Sequence, residues 1–410
     1  ERDYAFDPTG KDCMSQGFWV DKTKSCSFVA IITDDSTGGD CTKFGQWNDS
    51  TKTCSFDGNE GVWESNGILI MGDGITLDGQ NVSHSGILEG VGLAIVNANN
   101  INIKNMKLTL FFKDIVILNS NNVSIIDSYT GFGNVGGEPT DSVIQNSSNI
   151  QILKSEIITP FRIFDSEHIH FVENNMLIQH LVNTKFIKYE KNTMGYMLFD
   201  SIENVIISDN VIQQSGNNMS LKLINNNKNF LITNNTFTSN IDIQGKSIIL
   251  THNKLQNLKF NYENVGEHII SNNIIDGNHF ILDGNHNSII LKNSFTEPDS
   301  TVLRLIGSQN NLIVNNNFFQ FVPPINLIDA INLQRPTNDM PTGNIFTNNY
   351  WSGYDSEDEG CFDENLDDFC DDTLIFSYDY YEKWFFDYMG GLKIPDITNY
   401  STQDVFFEKN

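Results

Sequence analysis

The chain has 410 residues, and its 52 Asp and Glu against 25 Lys and Arg give a formal charge of -27, which repels the phosphates and anionic headgroups that nucleic-acid and membrane binders seek. Hydrophobic residues make up 39% and charged residues only 19%, so apolar material for a core is plentiful and simple disorder is excluded. No apolar run approaches the roughly 18 to 20 residues that span a bilayer, so neither nucleic acid nor membrane insertion is expected.

The chain starts at Glu1 rather than Met, as a processed, exported protein would. Its first sixty residues contain a duplication, DCMSQGFWVDKTKSCSF from Asp12 and DCTKFGQWNDSTKTCSF from Asp40. Both copies keep two cysteines, a Trp and the ending Cys-Ser-Phe. Pairing within each copy, Cys13 with Cys26 and Cys41 with Cys54, is the economical arrangement, although four cysteines allow other connectivities. Residues 1–60 therefore read as a small disulfide-stapled module too short to fold on its core alone. Trp19 and Trp47 are either its structural centres or exposed platforms for sugar or a neighbouring subunit. With Cys361 and Cys370 the cysteine count is even and free of CxxC pairs, which predicts disulfides, not zinc, and an extracellular or cell-surface location.

From about residue 62 the pattern becomes short apolar runs between Asn, Ser, Asp and Gly, the signature of strands and turns. One asparagine recurs about every twenty residues: Asn105, Asp127, Ser155, Asn175, Asn192, Asn210, Asn235, Asn253, Asn273, Asn293, Asn317 and Asn349. A second column sits about ten residues earlier: Asn97, Asn119, Asn146, Asp165, Asn183, Asp200, Asn225, Gln244 and Asp283. Leucine-rich repeats carry a similar asparagine, but the leucine they need eight residues before it is replaced here by Asn227, Gly245 and Asn285. The remaining reading is an all-β chain, a parallel β-helix of about twelve coils over residues 61–350, with a residue of one coil lying above its counterpart in the next. Stacked amides can then satisfy one another along the coil.

The segments GDGITLDGQN (Gly72 to Asn81), LNSNNVSIIDS (Leu118 to Ser128), FDSIENVIISDNVI (Phe199 to Ile212) and NNYWSGYDSEDE (Asn348 to Glu359) resemble the right-handed parallel β-helix proteins of the NosD-like, pectin-lyase-like superfamily. The resemblance spans roughly residues 62 to 390 and implies the right-handed fold; copper, associated with NosD, does not carry over, because the histidines are scattered.

CFDENLDDFCDD (Cys361 to Asp372) is similar to the calcium loops of thrombospondin type 3 repeats and EF-hands. That similarity implies calcium held by Asp363, Asn365, Asp367, the Phe369 carbonyl and Asp371, with Cys361 and Cys370 closing the loop. Asp368 stands where an EF-hand prefers Gly, and Leu374 where its bidentate Glu would fall. The competing reading is a solvated acidic loop. Residues 351–410 form an acidic, aromatic cap, in which Phe376, Tyr378, Tyr380, Tyr381 and Trp384 close the open end of the coil. The terminal segments are expected to dock onto copies of the chain.

Catalysis on a lateral groove is the alternative to a structural role. Enzymes of this superfamily act on acidic polysaccharides, which the negative charge repels; only Arg162 and Arg304 are arginines within the coils. Asp165 and Asp200 could form a carboxylate pair for glycoside hydrolysis, but both stand in the turn column. In IDGNHFILDGNH, Asp276, His279, Asp283 and His286 fit either a metal site or sharp turns, and turns are favoured. Sequons occur at Asn48, Asn81, Asn122, Asn146, Asn218, Asn234 and Asn399. The sequence thus predicts a secreted structural or adhesive protein, assembling into a filament or layer and stabilised by calcium and disulfides. A polysaccharide hydrolase or lyase, or a non-catalytic glycan-binding module, is the alternative.

Overall fold

A computed structural model describes residues 28–58, 61–62, 66–86, 90–131, 141–213, 219–261, 266–277, 280–296, 303–306, 308–318, 345–347 and 350–351. Cys13, Cys26, Cys361, Cys370, the whole predicted calcium loop, the aromatic cap, Asn218 and Asn399 lie outside them. The described residues form a right-handed parallel β-solenoid of about 11 turns, against the twelve that the repeat spacing predicts. Packing divides the chain into two units, residues 1–206 and 207–410.

In the first unit, three strands recur per coil. The longest column runs Val91–Val96, Lys113–Leu118, Ser142–Gln145, Phe161–Phe164, Asn175–Val182 and Thr193–Asp200, all in parallel register. A second runs Asn99–Lys104, Asn121–Ile126, Ser148–Leu153, Glu167–Val172 and Lys185–Glu190. Alternate residues point inward, so Ile103, Ile125, Ile152, Phe171 and Tyr189 stack as one buried file, with the Phe171 and Tyr189 rings 4.8 Å apart and nearly parallel.

The second Cys-Trp-Cys copy is an antiparallel hairpin, Gly45–Asn48 against Thr53–Phe56, closed by a Cys41–Cys54 disulfide with Cα atoms 5.8 Å apart. It is joined to the coil: Thr53–Phe56 pairs in parallel with Thr76–Asp78, and Phe28–Thr33 with Asn66–Met71. Trp47 does not stand free as a platform. Its ring lies on Gly38, where a Cβ would come within 2.2 Å of it and φ is +67°, so only glycine fits.

The asparagine file is present in both units, displaced by one residue at four of the predicted positions. In the second unit the backbone N–H of Asn210 donates to Asn235 Oδ1 (2.8 Å), Asn235 to Asn253 (2.8 Å), Asn253 to Asn273 (2.9 Å), Asn273 to Asn293 (3.0 Å) and Asn293 to Asn316 (2.9 Å). Each side-chain NH2 also donates to the next Oδ1 at 2.9 to 3.0 Å. In the first unit the file begins with hydroxyls, Ser128 and Ser155, then continues through Asn174 and Asn192. The buried members are thus Asn174 and Asn316, not the predicted Asn175 and Asn317, and Met106 and Ser128, not Asn105 and Asp127. The inward residue is the one that stands two places before the next buried side chain, as Asn235 stands before Phe237 and Asn174 before Met176.

The residue just before it takes a left-handed conformation, including Lys154, Glu173, Lys191, His252 and Lys292, with φ between 51 and 58°. The earlier column holds at Asn97, Asn119, Asn146, Asp165, Asn183 and Asn225, but Ser201 and Gly284 replace Asp200 and Asp283 at its left-handed position. A third left-handed column, absent from the sequence reading, runs through Asn100, Asn122, Asn149, His168 and Phe186.

Replacing Asn253 with Leu removes the acceptor of Asn235 and the donor to Asn273, Ile232 and Thr251 together. At about 1 to 3 kcal/mol for each buried group left unpaired, the expected loss is roughly 3 kcal/mol or more, read as a lowered urea midpoint; exposed Asn234→Ser changes it little.

Candidate functional site

The side chains of the first unit's long strands alternate between the core and an outer face. Ser142, Phe161, Ile163, Gln179, Leu181, Met197 and Phe199 point in and are buried. Arg162, His180 and Leu198 stack outward in one row. Phe164, Val182 and Asp200 form the next row, and Ile178 and Tyr196 a third. These outer rows are half-exposed, apart from the exposed Ile178.

Asp141 anchors the face. Arg162 Nε donates to its Oδ2 at 2.7 Å, and Lys113 Nζ pairs with its Oδ1. The Lys113 and Asp141 side chains are 8% exposed and that of Arg162 is 40% exposed, so the guanidinium stands at the surface while the pair beneath it is fixed. The Lys113 ammonium also lies 5.5 Å from the centre of the Phe112 ring. Two cations share one carboxylate, and Asp200 stands two coils along, so a locally balanced patch sits in a strongly acidic chain. Burial lowers the pKa of His180, the Arg162 charge lowers it further and Asp200 opposes both, leaving a neutral imidazole at pH 7 that can donate and accept.

Behind this face the interior holds polar groups. The hydroxyls of Thr130, Thr159 and Ser142 form a short chain, with contacts of 3.1 and 3.4 Å. Asp114 is fully buried, and burial raises its pKa well above the usual carboxylate range. Thr159 and the Phe111 backbone approach it and oppose that rise, yet neither makes a hydrogen bond of good geometry. In the second unit His268 takes an asparagine-like place in a buried file: its Nδ1 accepts from Ile248 N–H at 3.2 Å and its own N–H donates to Ser288. Its Nε2 has no partner, and burial pushes its pKa down to about 3.

Asp165 and Asp200, for which the sequence favours turn positions over a hydrolytic pair, stand in different rows. Asp165 occupies a left-handed turn position and accepts from Asn183, whereas Asp200 ends a strand and accepts from Ser201 at 2.9 Å. Among the described residues no three His, Cys, Asp or Glu side chains converge as metal ligands. Asp276 accepts from Thr296, His286 is exposed, and Gly284 has φ of +67°, as a turn requires; His279 lies outside the described residues. The described sequons, Asn48, Asn81, Asn122, Asn146 and Asn234, are all exposed. Asn48 caps its own turn by accepting from Ser50 and Thr51, and Asn122 donates to Asn100. Among the described residues no helix is long and apolar enough to cross a membrane.

Arg162 was visible in the sequence only as a rare arginine. Lys113 and Asp141, 28 residues apart, carry no local signal for their pairing.

No protein family described by sequence matches the chain, and no curated protein does. Solved structures that resemble it include a DFA-IIIase mutant from Arthrobacter chlorophenolicus A6, 10% identical over 63% of this chain and 70% of its own, with a TM-score of 0.31. The same mutant in complex with DFA-III gives the same figures, 10%, 63%, 70% and 0.31. The DFA-IIIase of that organism in complex with GF2 is 8% identical over the same shares, 63% and 70%, with a TM-score of 0.33.

Two pH signatures follow. The unfolded chain takes up a proton on His268 below pH 6.5 and the folded one only near 3, so stability present above pH 6.5 falls as the pH drops toward 3; His268→Asn removes this part of the acid loss. Asp114 has the opposite sign. Its protonated form is favoured by folding, so stability falls as the pH rises above 3.8. Asp114→Asn melts higher than the parent at neutral pH, with the gap closing toward pH 3.8 in thermal scans.

Proposed function

We propose that the chain is an extracellular structural and adhesive protein, a stiff β-solenoid that associates with copies of itself through its terminal segments and takes up neutral glycans on the Arg162 face. The observation that carries the glycan part is the Lys113–Asp141–Arg162 group, balanced by Asp200, beside outward Tyr196, Ile178 and Phe164. Sugars present hydroxyls in pairs and an apolar ring face. The fixed guanidinium of Arg162 can donate to the former, and Tyr196 with its aliphatic neighbours can cover the latter. An uncharged polymer escapes the repulsion that a chain at -27 exerts on uronates.

Binding is favoured over hydrolysis because Asp165 accepts from Asn183 at a turn while Asp200 ends a strand and accepts from Ser201, which sets the two carboxylates in different rows. Calcium at Asp363, Asn365, Asp367, Phe369 and Asp371 rests on the spacing of those oxygens alone. The extracellular assignment rests on the Cys41–Cys54 bridge and the even cysteine count.

Titration against a panel of soluble neutral oligosaccharides tests the glycan reading. Arg162→Ala and Tyr196→Ala are each expected to weaken binding about tenfold, the equivalent of one charge-assisted bond or ring contact, with unchanged melting. Binding that neither variant alters overturns it, and so does product release abolished by Asp200→Asn. For calcium, a chelator is expected to lower the melting temperature of the parent and to leave Asp363→Ala unmoved.

A further inference from the structure

The second unit carries an outer face of another character. On the strands after the third left-handed column, Leu231, Ile249, Ile269, Ile289 and Leu312 stack in register on successive coils. Beside them Thr233, Thr251, Ser271, Leu291 and Val314 form a parallel row. Ile249, Ile269 and Ile289 are 38, 39 and 38% exposed, so the isoleucines stand in solvent as a continuous stripe rather than singly. No position in either row carries a charge. The same rows in the first unit are mixed: Asn102, Ser124, Gln151, His170 and Lys188 form one, and Lys104, Ile126, Leu153, Val172 and Glu190 the other, with Lys188 paired to Glu190 at 2.6 Å.

The stripe's edges are also unlike the chain as a whole. One edge carries the Lys246–Glu267 ion pair at 2.8 Å, and the other His252 and Lys292. A chain at -27 resists approach by another copy over most of its surface; a charge-free strip bordered by lysines is where that resistance is least. The strip is also self-complementary. Its teeth repeat at the strand spacing of about 4.8 Å, so the strip of a second copy presents the same period and can interdigitate along its whole length, as facing sheets do at about 10 Å.

We infer that the Leu231–Leu312 strip is a lateral contact between copies of this chain. Its size sets the strength. Five coils by two rows cover roughly 250 Å² per copy at strand and residue spacings, against about 800 Å² per partner in a stable complex. A lone pair therefore dissociates in dilute solution, and the contact operates where copies are concentrated or joined by other contacts, as multivalent contacts do. It is separate from the Arg162 face, so its test and the glycan titration fail independently.

The experiment is site-directed cross-linking of the whole chain at high concentration, with a short bis-maleimide and single added cysteines. Ile269→Cys is expected to give covalent dimers, and Gln151→Cys, an exposed outward position on the corresponding strand of the first unit, is not. Adding Ile249→Lys to Ile269→Cys is expected to abolish the dimer while melting stays unchanged, because Ile249 faces outward. Equal dimer from the two cysteine sites, dimer that survives Ile249→Lys, or no dimer from Ile269→Cys in protein that melts as the parent does, overturns the inference.

Discussion

One bond decides the architecture: a side-chain carbonyl of one coil accepting both the backbone N–H and the side-chain N–H of the residue below it. The corner that makes this geometry places its preceding residue in the left-handed region, which costs an ordinary side chain about 1 kcal/mol or more. Lys154, Glu173 and Lys292 accept that cost, so asparagine's own tolerance of the conformation cannot be what forms the corner. What forms it is the inward amide one place later, whose two donors and one acceptor pair with the coils on either side. Serine does half the work, accepting from one neighbour and donating back to its own strand, as Ser128 and Ser155 do.

This constraint explains which parts of the fold could be read in advance. Strand type and repeat length were legible, since both follow from short apolar runs between turn residues. Where two asparagines adjoin, as at Asn174 and Asn175 or Asn316 and Asn317, the sequence offers the same side chain at both places. Only the distance to the next buried side chain, as from Asn174 to Met176, separates the inward residue from the outward one. The third left-handed column was hidden because its asparagines, Asn100, Asn122 and Asn149, give way to His168 and Phe186, which share the backbone conformation and not the side-chain chemistry. His168 and Phe186 stack with ring centres 4.7 Å apart, a contact between coils that local pattern cannot reveal.

The candidate site was less legible for a related reason. The ladder fixes inward positions and leaves the outer rows to vary, so outer residues carry no periodic signature. Lys113, Asp141 and Arg162 come together through the register of three coils, and their partnership depends on loop lengths as much as on residue type. The same freedom lets the outer rows of the first unit gather charge and rings while those of the second unit hold isoleucine. A scaffold whose stability is spent inside can exchange its surface without refolding.

Interior exceptions to the ladder are therefore the informative ones. Asp114 and Gln179 are fully buried, and neither side chain has a hydrogen bond of good geometry. Both belong to strands of the outer face that presents Arg162 and His180: Lys113–Leu118 and Asn175–Val182. Buried polar groups without partners cost stability, and a long file of satisfied amides can absorb that cost. Asp114 follows Lys113 in the chain, so the same short strand turns one charge outward to Asp141 and buries a carboxyl whose protonated form burial favours. The outer side thus keeps Asp141 as the shared partner of Lys113 and Arg162, while the cost of the inner carboxyl is borne by the file of amides.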